Sequence, residues 1–271
     1  MLPMNGRLML LLAAALLATV PVHAQDWAKA RLDGKSPRHQ EWVKIKQGSR
    51  VVEAFITYPE VKDKATAVVV IHEIFGLSDW ARSVTDELAE AGYIAIAPDL
   101  LSGVGPNGGG SSAISPADMG KTIQGLPVDQ VNADLQAVTD YVAKLPACNG
   151  KVTVAGFCWG GGKTFLFANA GKGIKAAFSF YGPQSDKAED FAKINCPVYG
   201  FYAGNDARVD ATIPRTTDFM KAAGKTYEPV LYDGAGHGFM RAGEDPTNKV
   251  EANKKGREDA WQRWMALLKK V

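Results

Sequence analysis

The chain has 271 residues, 46% of them hydrophobic, enough for one sizeable α/β core. Its formal net charge of +2 provides no basic face for nucleic acid, and its three cysteines, an odd number, leave at least one thiol unpaired even in an oxidising compartment. At the start, Arg7 precedes an apolar run over residues 8–20, and Val22-His23-Ala24 offers a small-x-small cleavage site. That is the pattern of a secretory signal peptide, removed after Ala24. The run is shorter than the roughly 18–20 apolar residues of a membrane span. The expectation is an exported protein, periplasmic or secreted, with no stable membrane insertion and a single domain over residues 25–271.

Residues 25–47 mix charges and turn formers and are expected to wrap the surface. Residues 50–58 read as an early antiparallel strand, and 65–71 as a buried parallel strand, because the run is almost continuously apolar. Ser78 caps a helix that stops at Gly92, and residues 93–97 form the next buried strand. The Gly- and Ser-rich stretch 101–127 is expected to be the least structured, a mobile loop near the mouth of the site. It contains Gly103-x-Gly105-x-x-Gly108, but Pro106 and the glycines and serines that follow argue against the helix a dinucleotide fingerprint requires. Val131, Leu135, Val138 and Val142 mark one face of a helix over 128–145. Strands follow over 151–157, 176–181, 197–204 and 227–232. A short helix over 185–194, a helical connection over 210–223 interrupted by Pro214, and an amphipathic helix over 253–270 complete the chain. Alternating strands and helices predict one doubly wound, mostly parallel sheet with helices on both faces.

The chemistry concentrates around Gly156-Phe157-Cys158-Trp159-Gly160, between a strand and a helix. Gly-x-Cys-x-Gly in that setting is a nucleophile elbow with cysteine in place of serine. A thiol there sits at the positive end of the following helix, which favours a thiolate. Asn205-Asp206 and Gly236-His237 each follow a later strand, so nucleophile, acid and histidine occur in the α/β-hydrolase order. His237 is the expected general base and acid, and Asp206 the group that fixes its tautomer. The same pattern places the oxyanion hole at the backbone N–H groups of Trp159 and Ile74.

The elbow, the loop Glu73-Ile74-Phe75-Gly76, Gly204-Asn205-Asp206 and His237-Gly238-Phe239-Met240-Arg241 together resemble the dienelactone hydrolase family, over nearly all the chain beyond about residue 40. The resemblance implies an α/β-hydrolase fold and carboxylic-ester hydrolysis of the carboxymethylenebutenolidase type, without a cofactor. It implies that Glu73 contacts the resting Cys158 thiol and is displaced when substrate arrives. It also implies substrate-binding roles for Arg241, Tyr181 and Phe75. A second substrate arginine is expected where this chain has Gly103, which departs from the family pattern.

Other motifs carry no site. His72-Glu73 begins like a zinc helix, but position 76 is glycine, so His72 is read as structural and no metal is expected. Gly160-Gly161-Gly162-Lys163-Thr164 lacks the first glycine of a phosphate loop. Cys148 and Cys196 are expected on strands separated by the strand over 176–181, too far for a disulfide. The reading is a cysteine-dependent hydrolase of small lactones or esters. A general esterase or thioesterase on the same site is the alternative, as is a redox-sensing or binding protein, although sensing has no need of Asp206.

Overall fold

The computed structural model describes residues 25–32, 34 and 36–271, so the expected leader lies outside the described residues. Helix α1 (Asp26–Leu32) leads to β1 (Gln40–Gln47), which turns through Gly48 into β2 (Arg50–Thr57). Strands β3 (Ala65–Ile71), β4 (Ile94–Pro98), β5 (Cys148–Phe157), β6 (Ile174–Phe180), β7 (Val198–Asn205) and β8 (Tyr227–Gly236) complete the sheet. The order is β1-β2-β4-β3-β5-β6-β7-β8. The β1–β2 and β2–β4 pairs are antiparallel and the others parallel.

The helices are α2 (Asp79–Glu90), α3 (Pro116–Gln124), α4 (Val128–Ala143), α5 (Trp159–Ala170), α6 (Glu189–Ala192), α7 (Ala207–Asp210), α8 (Ile213–Ala222), α9 (Phe239–Ala242) and α10 (Glu251–Leu268). Side chains alternate across a strand, so successive residues of β3 enter different cores. Val69 and Ile71 join Leu135, Val138 and Phe165 under α4 and α5. Val68 and Val70 join Trp80, Leu88, Trp264 and Leu267 under α2 and α10. Burial on both faces is why β3 reads as an unbroken apolar run. Ser78 caps α2, its side chain accepting from the Ala81 N–H.

Several expectations are corrected here. Residues 25–47 do not merely wrap the surface. They form α1, which packs on α2, and β1, whose eight residues all pair with β2. The charged Glu41, Lys44 and Lys46 on β1 suit a sheet edge, where charge discourages pairing with another chain, and they masked its alternation. The stretch 101–127 is built of two short 3₁₀ turns and α3, with Ser115 capping α3 and Pro116 in its first turn. It is pinned at Ser111, whose N–H and hydroxyl donate to the Asp99 carboxylate at 2.7 and 2.6 Å. Pro214 lies in the first turn of α8, where its missing N–H costs nothing, so it starts a helix and does not interrupt one. β8 runs on to Gly236, past the expected end. As expected, β6 separates β5, which begins at Cys148, from β7, which follows Cys196, and all three cysteines are free thiols. Among the described residues, no helix is long and apolar enough to cross a membrane.

Candidate active site

The parallel strands all end on one side of the sheet, where α/β ligand sites form. Cys158 follows β5, Asp206 follows β7, His237 follows β8, and Glu73 stands two residues past β3. The elbow turns on Cys158, which adopts φ 53° and ψ −115°. A non-glycine residue there is strained by roughly 1–3 kcal/mol. The surroundings hold it: a Cβ at Gly156 would overlap the Gly160 carbonyl, and one at Gly160 would overlap the carbonyls of Ile71 and His72. Only glycine lets the start of α5 approach β3 and β5 so closely. The Cys158 N–H donates to the Phe180 carbonyl at 3.0 Å, fixing the turn to β6.

Sγ of Cys158 lies 3.1 Å from Nε2 of His237, and Nδ1 of His237 lies 2.5 Å from Oδ2 of Asp206. With Nδ1 donating to the carboxylate, Nε2 faces the sulfur. The His237 loop is secured from behind by Asn253 on α10, whose Oδ1 accepts the Gly236 N–H at 2.8 Å. This contact spans distant parts of the sequence and has no local signal. Asn253→Ala should cost about 1–2 kcal/mol, the cost of orphaning a buried donor, as read from a urea melt.

Burial disfavours the charged form of His237, but its bonds to Asp206 and Cys158 outweigh that and raise its pKa to about 10. Burial also pushes Asp206 upward, and the hydrogen bond and charge of His237 more than offset it, so its pKa is lowered. The raised imidazolium stabilises the native state fully below about pH 6.5, its unfolded value, and this contribution disappears as pH rises through about 10. Asp206→Asn should therefore destabilise the protein clearly at pH 6 and much less at pH 10.5. Thermal melts of both proteins across that range check it.

Glu73 has a hydrogen-bond partner other than the expected thiol: Oε2 accepts from Nε of Arg241 at 2.8 Å, with Glu73 3% and Arg241 19% exposed. A guanidinium makes a charge-assisted bond that a weak S–H donor does not match. Arg241 is correspondingly engaged by Glu73 and not by the acids nearest in sequence. Glu244 instead accepts the Trp80 indole N–H at 3.0 Å. The Arg241 guanidinium also lies 5.2 Å from the Phe75 ring centroid. Phe75 in turn lines a cleft of about 430 Å³ with Trp42, Leu77, Arg82, Ile114 and Met119.

Tyr181 is fully buried at φ 38°, and its ring stands edge-on to His237 at 5.3 Å. Its hydroxyl makes no hydrogen bond of good geometry, and burial, with Glu73 nearby, holds its pKa well above the usual value. Trp159 opens α5, so its N–H is a first-turn donor that the helix leaves without an internal acceptor. Ile74 lies on the loop after β3. Gly103 lies in the turn that follows β4. A side chain there would start 3.8 Å from Nη1 of Arg50, but Arg50 is bound to Asp134 and the Leu100 carbonyl. Among the described residues, no group of three or more His, Cys, Asp and Glu side chains could hold a metal.

A parallel sheet flanked by helices, with an elbow at the end of β5 and a histidine paired to an acid beside it, is the architecture of an α/β-hydrolase. The profile of the dienelactone hydrolase family matches residues 52–271. A carboxymethylenebutenolidase homologue from Methylorubrum extorquens is 30% identical over 91% of this chain and 85% of its own. The Pseudomonas putida carboxymethylenebutenolidase is 29% identical over 66% of this chain and 77% of its own. A dienelactone hydrolase structure from Klebsiella pneumoniae superposes with TM-score 0.73 at 28% identity, covering 86% of this chain and 99% of that one. The chain belongs to the dienelactone hydrolase family and is a hydrolase.

Proposed function

We propose that the protein is an exported, cysteine-dependent hydrolase of small lactones or esters that works through an acyl-Cys158 intermediate. The observation that carries this reading is the hydrogen-bonded series from Cys158 through His237 to Asp206, at 3.1 and 2.5 Å, on a glycine-flanked elbow. The Cys158 thiolate attacks the carbonyl carbon and a C–S bond forms. The oxygen takes up the charge, facing the Trp159 and Ile74 N–H groups. Collapse breaks the C–O bond, and the His237 imidazolium gives its proton to the departing alkoxide. In a lactone that alcohol stays tethered to the acyl group. His237 then takes a proton from water, the resulting hydroxide adds to the thioester, and the C–S bond breaks to restore the sulfur. Asp206 holds Nδ1 of His237 throughout.

Intact mass spectra of the protein mixed with small lactones and esters are expected to show acyl adducts that map to Cys158. Adducts elsewhere, or hydrolysis with Cys158 alkylated, would overturn the reading. Export rests on the leader pattern alone. Protein recovered from the periplasm of a Gram-negative host should begin at Gln25 by N-terminal sequencing, and a mature chain that still carries Met1 would count against it.

A further inference from the structure

One buried polar group beside the elbow has no part in this scheme. His72 follows β3 and is fully buried. Its Nδ1 lies 2.9 Å from the Glu73 carbonyl oxygen, which can only accept, so Nδ1 carries the proton. Nε2 has no hydrogen-bond partner among the described residues. The ring lies nearly parallel to the Trp159 indole, with centroids 5.7 Å apart and planes inclined by 11°. An apolar ring would fill this position with no orphaned nitrogen, and a buried unpaired polar atom is costly. The position therefore holds a histidine for the one bond it makes.

That bond acts on the peptide between Glu73 and Ile74. A trans peptide is planar, and its C=O and N–H point in opposite directions. A donor that fixes the Glu73 carbonyl therefore fixes the direction of the Ile74 N–H, and polarises it through the same peptide. The Gly76 N–H also reaches this carbonyl, but at 3.2 Å. The shorter bond comes from His72. The His72 ring also lies against Trp159, which carries the other expected oxyanion donor.

We propose that His72 is a positioning residue for the oxyanion hole, aiming the Ile74 N–H through the Glu73–Ile74 peptide. The inference rests on the acyl-cysteine reading above. Burial lowers the His72 pKa despite the nearby Asp99 charge, so the ring stays neutral and keeps one tautomer.

The test compares wild type, His72→Phe and His72→Asn with a short p-nitrophenyl ester. Phenylalanine keeps the ring and loses the donor; asparagine presents an amide N–H close to the Nδ1 position and loses the ring. Removing an oxyanion donor outright costs roughly 10²–10³-fold in kcat. Misaiming one should cost about tenfold in His72→Phe, with KM within about twofold, and His72→Asn should recover most of it. Iodoacetamide alkylation of Cys158 forms no oxyanion, so its rate should stay at the wild-type value in both variants. Wild-type kcat in His72→Phe overturns the proposal. So does an equal fall in both variants, or a parallel fall in alkylation, since each points to a merely structural ring. If His72→Phe does not fold, a fall in kcat in His72→Asn as large as tenfold is enough to overturn it. Full turnover in Cys158→Ala would instead refute the acyl-cysteine reading itself, independently of His72.

Discussion

Cys158→Ala is expected to lower ester turnover by at least about 10⁴-fold while the circular dichroism spectrum and melting temperature stay near wild type, because loss of a covalent nucleophile leaves only binding and oxyanion stabilisation. The side chain is only partly buried and sits above the sheet, so its removal opens no core cavity. Its strained φ of 53° is held by close glycine contacts and by the bond to the Phe180 carbonyl, neither of which involves sulfur. Cys158→Ser should retain little activity. A hydroxyl gives up its proton far less readily than a thiol and so needs stronger base assistance. Near-native hydrolysis by Cys158→Ala with an unchanged fold would remove Cys158 from the mechanism.

Arg241→Ala should act on both stability and selectivity, and the two effects can be separated. The Glu73 carboxylate is 3% exposed and is paired with this arginine. Truncating one partner of such a pair leaves a buried, uncompensated charge, at a cost of about 3–5 kcal/mol. The double variant Glu73→Gln/Arg241→Ala should recover much of that loss in urea melts. A single variant as stable as wild type would show that the pair contributes nothing to the fold. Selectivity is measured well below the melting temperature. If a substrate carboxylate replaces Glu73 on Arg241, the contact is worth about 1.5–3 kcal/mol, or roughly tenfold to a hundredfold in preference over a neutral ester. Arg241→Ala should erase that preference and spare neutral p-nitrophenyl esters. Equal loss of kcat/KM on charged and neutral substrates, or no loss on either, would show that Arg241 is not a substrate ligand.

Much of the site was legible because its parts are local. The elbow is readable from five residues, since strand, tight turn and helix leave their marks in one short window: β-branched residues, two glycines and one thiol. Asp206 and His237 each follow an apolar strand directly, so chain order and strand ends were enough to single them out. β1 was harder to read because an edge strand carries charges that blur its alternation. The order within 101–127 escaped detection for a different reason. It depends on Ser111 reaching Asp99 across twelve positions, and glycine-rich composition gives no sign of such an anchor.

By itself, the sequence determined the doubly wound architecture and the register of the elbow, because alternation, apolar runs and turn residues are properties of neighbouring positions. Only the tertiary structure decided how the charged groups pair. Glu73 and Arg241 are separated by 168 positions, and the family resemblance implied the thiol for one and a substrate role for the other. In the fold, the guanidinium and carboxylate meet in a nearly dry site, where a charge-assisted bond prevails over the weaker contacts available to each. The same holds for His72. Its sequence context shows only a histidine after a strand, whereas its meaning lies in which carbonyl and which indole the folded chain brings against its ring.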